Sequence, residues 1–323
     1  MIKKQYPVTV VTGFLGSGKT TLLNRILQEH HGKKIAVILN EIGQVNLDSD
    51  LVLTSVGEEL KIMNNGCVCC TVREDLTKIC RDLIQRKVAF EHLVIETTGM
   101  ADPLPVVQTF FMDEKLREHF FLDAVVTVVD AVHFEKNMAQ MNETQKQIAA
   151  ADVLLLNKKD LLSLNQLTQV EHTIRKINAL TKIFHTTKCD VKISEIFAIQ
   201  AFSLDTHTAL NPHFIQEYHE HHHDSSIHSL YLEEENPLNL DQFNSFMELI
   251  LTQLGSQLLR YKGILNIKNE KCRLIFQGVH TMMGSSHDRP WTEHEIRKTK
   301  IVFIGKHLPL KVLQEGLKLC IAL

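Results

Sequence analysis

Short apolar runs alternate with longer amphipathic segments over the first two hundred residues. Val8-Thr-Val-Val-Thr12, Lys34-Ile-Ala-Val-Ile-Leu39, His92-Leu-Val-Ile-Glu96, Ala124-Val-Val-Thr-Val-Val129 and Val153-Leu-Leu-Leu156 are dense in aliphatic residues. Such runs predict strands buried on both faces, and the helical patterns between several of them predict a mainly parallel, doubly wound α/β sheet. One helix start is sharply marked. Thr71-Val-Arg-Glu74 has the form of a capping box, and Leu76, Ile79, Cys80, Leu83 and Ile84 then recur on one helical face, so Cys80 is expected in the core. From about 205 to 227 the pattern dissolves into polar, His-rich sequence that reads as a linker. Beyond it the expected order is a strand (Ser229–Leu232), a long helix from Asp241 to about Tyr261, and two hairpin-like strands (Gly263–Ile267, Cys272–Val279). A strand (Lys300–Ile304) and a helix from about Leu310 complete a small α+β domain. The expected division is therefore 1–205, an α/β domain; 206–227, a linker; and 228–323, an α+β domain.

Composition narrows the function classes. The 323 residues suit about two domains. An apolar fraction of 44% and a charged fraction of 23% are ordinary for a globular chain and argue against native disorder. A net charge of −3 gives no reason to expect nucleic acid or a membrane surface as partner. No apolar run approaches the roughly 18–20 residues that would span a bilayer. The apolar stretch near the N-terminus is broken at Gly13 with no cleavage-site pattern after it, so the expected location is cytoplasmic.

Gly13-Phe14-Leu15-Gly16-Ser17-Gly18-Lys19-Thr20 matches G-x-x-x-x-G-K-[ST] between an expected strand and an expected helix, the context that a phosphate-binding loop requires. Its backbone amides and the helix N-terminus suit a phosphate chain, and the cradle is expected to extend through Thr21. Lys19 would reach the β/γ oxygens and Thr20 would ligate Mg²⁺. Asn157-Lys158-Lys159-Asp160 directly follows a strand. A carboxylate there accepts from guanine N1–H and N2–H₂, which adenine lacks, so GTP and GDP are favoured over adenine nucleotides.

Glu96-Thr97-Thr98-Gly99 ends another strand, where P-loop proteins place an acidic residue near Mg²⁺ and a glycine that senses the γ-phosphate. Asn40-Glu41-Ile42-Gly43, with Asp48 beyond it, is a candidate first switch. Lys19, Thr20, Glu41 and Glu96 form the expected catalytic set, with Thr20 and Asp48 as Mg²⁺ ligands. No glutamine follows Gly99, so basal hydrolysis should be slow, on the order of 10⁻⁴ to 10⁻² s⁻¹. A rate above about 1 s⁻¹ in a phosphate-release assay would contradict that expectation.

Seven cysteines in such a chain point to metal or redox chemistry rather than disulfides, and three of them fall in Cys67-Val68-Cys69-Cys70. These thiols lie just before the helix expected at Thr71, whose dipole favours the thiolate. Thiolates suit Zn²⁺, Cu⁺ or another thiophilic ion, and three or fewer local ligands leave a coordination position open. Which of the three bind together stays open. His213, His219, His221, His222, His223 and His228 form a second cluster, readable either as a weak metal tract or as a solvated linker.

Gly13–Thr20, Asn40–Gly43, Asn65-Gly-Cys-Val-Cys-Cys70, Glu96-Thr-Thr-Gly-Met-Ala-Asp-Pro103 and Asn157–Asp160 together resemble the CobW-like P-loop GTPases, most nearly their YjiA-type members. Leu258-Leu-Arg-Tyr-Lys-Gly263, Phe276-Gln-Gly278 and Asp288-Arg-Pro-Trp291 resemble the CobW C-terminal domain, so the likeness covers essentially the whole chain. It implies a GTP-hydrolysing metallochaperone with an internal site at the C-x-C-C thiols that carries zinc or another transition metal to a client metalloprotein. Leu39 and Gln44 stand where YjiA-type relatives carry carboxylates around the first switch, which leaves extra metal ligands at that loop in doubt. Self-association into a homodimer stays open. Two rivals remain: a metal buffer storing zinc on its His and Cys tracts, and a P-loop kinase, against which the N-K-K-D speaks.

Overall fold

The computed structural model describes residues 5–29, 32–39, 53–54, 71–85, 90–201 and 227–322. By its internal contacts the chain forms two compact units, Met1–Glu171 with Thr181–Ser203, and His172–Leu180 with Leu204–Leu323.

The first unit is built on a seven-stranded sheet. In chain order its strands are β1 (Tyr6–Thr12), β2 (Ile35–Leu39), β3 (Leu53–Thr54), β4 (His92–Glu96), β5 (Phe120–Asp130), β6 (Val153–Asn157) and β7 (Lys182–His185). The spatial order is β3-β2-β4-β1-β5-β6-β7, and every pairing is parallel except β2 with β3. The helices are α1 (Lys19–Gln28), α2 (Thr71–Gln85), α3 (Leu104–Met112), α4 (Glu114–His119), α5 (Phe134–Gln140), α6 (Asn142–Ala150) and the first half of α7 (Leu164–Ile177), whose residues from His172 on count with the second unit. Helical crossovers cover parallel strands on both faces, which is why β1, β4, β5 and β6 are runs of buried Val, Leu and Ile. Val11, Leu22, Ile26, Val94, Val126, Val128 and Leu155 join one core cluster. Each such side chain contributes roughly 1.5–3 kcal/mol by leaving water.

The five strands expected in this unit are all present. β3 and β7 were not expected: β3 has two residues, and β7 is a four-residue run whose ends, Lys182 and His185, are exposed. Neither carries the apolar density that betrays a central strand. α2 begins at Thr71 as its capping-box sequence predicts. Leu76, Cys80 and Leu83 of that helix are buried, and burial pushes the Cys80 thiol far up, so this cysteine is a core side chain.

The second unit carries an antiparallel five-stranded sheet of order β11-β10-β9-β12-β8, with β8 (His228–Glu234), β9 (Leu258–Leu265), β10 (Cys272–Val279), β11 (Met282–Pro290) and β12 (Thr299–Gly305). Helices α8 (Leu240–Leu254) and α9 (Leu310–Leu319) contribute Phe243, Met247, Ile250, Leu313 and Leu317 to a core with Tyr261, Phe276, Ile301 and Phe303. Two expectations need correction. The helix expected to reach Tyr261 stops at Leu254, because Gly255 takes a left-handed φ of 46° and ends it. The residues assigned to its last turns form β9 instead, so the first hairpin strand is Leu258–Leu265 rather than Gly263–Ile267. Tyr261, on β9, then packs against Phe276 at 5.1 Å and donates its hydroxyl to the Met282 carbonyl at 2.8 Å. Gly278 makes room for that ring, since a Cβ there would lie 2.1 Å from Tyr261 Cζ. β11 also goes beyond the expected elements, because its polar sequence lacks an apolar run. Among the described residues no helix is long and apolar enough to cross a membrane.

Candidate functional site

The C-terminal ends of adjacent parallel strands carry the loops that matter, as in open α/β sheets generally. β1 runs into the Gly13–Thr20 loop, and α1 begins at Lys19 with Gly18 at its N-cap and no capping side chain. The first amides of a ten-residue helix therefore face the loop with no side chain to satisfy them. Gly13 and Gly18 are required by geometry, with φ of 139° and 116°. A Cβ on Gly13 would meet the Val128 carbonyl oxygen at 2.1 Å, and one on Gly18 would meet Asn157 Nδ2 at 2.6 Å.

Lys19 Nζ lies over this loop and donates to the carbonyls of Gly13 at 2.8 Å and Phe14 at 3.3 Å. Burial lowers its pKa, while the nearby Glu96 carboxylate pulls the other way. Ser17 Oγ is buried and, among the described residues, has no hydrogen-bond partner; the same holds for Thr98 Oγ1. Uncapped helix amides, a buried ammonium and an orphaned hydroxyl together fit a phosphate chain. Thr20 and Thr21 are exposed at the start of α1, and Leu15 and Gly16 are exposed at the loop tip.

β4 delivers Glu96 and Gly99 beside the same loop. Thr97 donates its hydroxyl to Thr12 Oγ1 at 2.8 Å and its amide to the Val11 carbonyl at 2.9 Å. A Cβ on Gly99 would come within 2.7 Å of the Leu15 amide nitrogen, so this backbone abuts the phosphate loop itself. The segment is held from behind by α6. Gln147 Nε2 donates to the carbonyls of Gly99 at 3.3 Å and Ala101 at 3.0 Å, and Lys146 pairs with Asp102 at 2.9 Å.

β6 ends at Asn157, a buried hub. Its Nδ2 donates to the Ser17 carbonyl at 2.9 Å, and its Oδ1 accepts from the Cys189 amide at 2.9 Å and the Thr186 hydroxyl at 3.2 Å. Lys158 follows in a left-handed conformation, φ 63°, and Asp160 is exposed, with Oδ1 accepting from Thr187 Oγ1 at 2.9 Å. The N-K-K-D loop and the phosphate loop thus share a wall.

Thr186, Thr187 and Cys189, in the loop after β7, were not singled out from sequence. The only advance signal was position, one loop beyond N-K-K-D. Cys189 is buried, its Sγ donates to the Gly18 carbonyl at 3.4 Å, and burial pushes the thiol up to about 11 despite Arg25 and Lys158 nearby. A protonated, inert thiol suits a packing role. Glu41, Asp48, Cys67, Cys69 and Cys70 lie outside the described residues, as does the His213–His223 cluster; His228 opens β8. Among the described residues no group of three or more His, Cys, Asp or Glu side chains could hold a metal.

The nucleotide-binding domain model of the CobW/HypB/UreG family matches residues 7–185, and that of the cobalamin synthesis protein CobW C-terminal domain matches residues 227–321. The zinc chaperone YjiA of Escherichia coli K12 is 38% identical over 94% of this chain and 94% of its own. The zinc-regulated GTPase metalloprotein activator 1 of Schizosaccharomyces pombe is 35% identical, covering 94% of this chain and 82% of its own. Among solved structures, Zn(II)-bound YjiA GTPase from E. coli aligns with a TM-score of 0.78 at 36% identity, over 99% of this chain and all of that one.

Proposed function

This chain belongs to the CobW/HypB/UreG family, and on that premise we propose that it is a zinc-chaperone GTPase whose nucleotide state governs its hold on the metal. The reading rests above all on Asn157, which ties the phosphate loop at Ser17 to the base loop at Cys189 within one side chain. Residues 1–205 bind the nucleotide, 206–227 connect, and 228–323 form the CobW-type domain on which a client metalloprotein would dock.

In this reading the backbone from Gly13 through Phe14, Leu15, Gly16, Ser17 and Gly18 wraps the phosphates, with Lys19, Thr20 and Thr21 completing the cradle. Lys19 leaves the Gly13 and Phe14 carbonyls for the β/γ oxygens, where its charge is best compensated. Asp160 reads the guanine edge and Lys158 flanks the base. Thr20 and Asp48 would supply oxygen to Mg²⁺, with the catalytic carboxylates Glu41 and Glu96 close by, and the ion would polarise the transferred phosphoryl group. Gly99 senses the γ-phosphate across its contact with Leu15. Zinc is the cargo, and its thiolate ligands come from Cys67, Cys69 and Cys70.

Coupling follows from chain order, because Cys70 directly precedes α2 and the first switch lies upstream in the same crossover. If GTP tightens metal, metal must tighten GTP by the same factor, and a typical coupling is about tenfold. A competitive Zn²⁺ titration against a chromophoric chelator tests this with a GTP analogue, with GDP and without nucleotide. One tight site, strengthened about tenfold by the analogue and absent from a variant with Cys67, Cys69 and Cys70 changed to Ala, is expected. Binding that ignores nucleotide and survives loss of the thiols would instead make the protein a metal buffer acting through its histidines.

A further inference from the structure

We propose that Asp130 is a positioning residue for the base site: it anchors the Lys158 ammonium so that the lysine stem stands as a fixed wall beside the purine. This rests on the guanine reading of Asn157, Lys158 and Asp160 above, and adds what holds the lysine in place.

Lys158 carries a long, rotamer-rich stem that would sample many directions if its head were free. Its head is instead captured. Nζ donates to Asp130 Oδ2 at 2.7 Å. Asp130 ends β5 as the register partner of Asn157 on β6, so the anchor stands one strand away from the residue it serves. The carboxylate is itself locked by the turn that follows. Oδ1 accepts the amides of Val132 at 3.0 Å and His133 at 3.3 Å, and Oδ2 also accepts from His133 Nδ1 at 2.9 Å. Only 5% of the Asp130 side chain is exposed. Burial alone would raise its pKa, but the hydrogen bonds from Lys158 and His133 outweigh that and hold it below the usual carboxylate range.

Two consequences follow. The conformational cost of ordering the lysine stem is met in the free protein, so base binding does not have to meet it. Lys158 is also kept from the phosphates, which leaves that task to Lys19. Asp130 touches neither base nor phosphate in this scheme and works only through Lys158.

The test uses the full chain and fluorescent N-methylanthraniloyl derivatives of GDP and IDP; hypoxanthine lacks the guanine 2-amino group. Asp130→Asn, which removes the charge and keeps the shape, should weaken both nucleotides about tenfold with their ratio unchanged. In a Lys158→Met background the same change should cause no further loss, because the two residues act as one unit. Unchanged affinity in Asp130→Asn would overturn the proposal. So would an equal loss in the Lys158→Met background, which would mean that Asp130 merely supports the 131–133 turn. Asp160→Asn runs alongside: if it leaves the preference for GDP over IDP intact, the guanine reading itself fails, whatever Asp130 does. Should Asp130→Asn not fold, Asp130→Ser carries the same expectations, since its hydroxyl can still serve the turn amides and is too short to reach Lys158.

Discussion

Lys19→Ala is expected to lower GTP turnover by roughly 10²–10³, the usual cost of removing a preorganised donor from developing transition-state charge. Affinity for GTP should fall as well, by about tenfold or more, because a charge-assisted hydrogen bond to phosphate is lost. Stability should move the other way or stay level. The ammonium is buried and its pKa is lowered by that burial, so the nucleotide-free fold holds it at a cost in hydration. The melting temperature of nucleotide-free Lys19→Ala should therefore equal or exceed that of the parent. Single-turnover phosphate release and calorimetry on the same sample make the comparison. Normal turnover, or a melting temperature that drops along with activity, would show that Lys19 serves the loop rather than the phosphates.

Asn157→Ala should be the most damaging single change at the site for the fold itself. Truncation removes the donor to the Ser17 carbonyl and the acceptor for both the Cys189 amide and the Thr186 hydroxyl. All of these groups lie in buried surroundings, and each one left unpaired costs about 1–3 kcal/mol. A total loss of at least about 3 kcal/mol is expected, or at least about 6–12 °C in melting temperature for a unit of this size. Nucleotide affinity should collapse in parallel, because Gly18 and the base loop are no longer held against each other. Asn157→Asp is a useful companion. It keeps the acceptor but turns the donor into a carboxylate facing the Ser17 carbonyl, and should be as destabilising as Ala. Denaturant unfolding with an unchanged slope and a midpoint like the parent's would refute the hub.

Much of this was legible in advance. β1, β2, β4, β5 and β6 announce themselves because strands covered on both faces must be apolar throughout. The phosphate loop is legible because its glycines and its lysine answer local demands: left-handed backbone at Gly13 and Gly18, and a charge at the first position of α1. β7 and β11 were hidden for the opposite reason, since short or polar edge strands need no such pattern. The overrun of α8 has a local cause too. Leu258, Leu259 and Tyr261 suit a helix face as well as a strand, and only the break at Gly255 and the pairing of β9 between β10 and β12 decide for the strand.

A phosphate loop on a parallel α/β sheet, an N-K-K-D after a strand and a thiol cluster ahead of an expected helix can be read from the chain alone, because each is written in consecutive residues. The distant groups that complete them emerge only from the fold. Asn157 reaches 140 residues back to Ser17, Cys189 reaches 171 back to Gly18, and Lys158 finds its anchor 28 residues away at Asp130. Parallel strands bring their C-terminal ends together whatever the length of chain between them, so these partners follow from strand order and register, which no local pattern encodes.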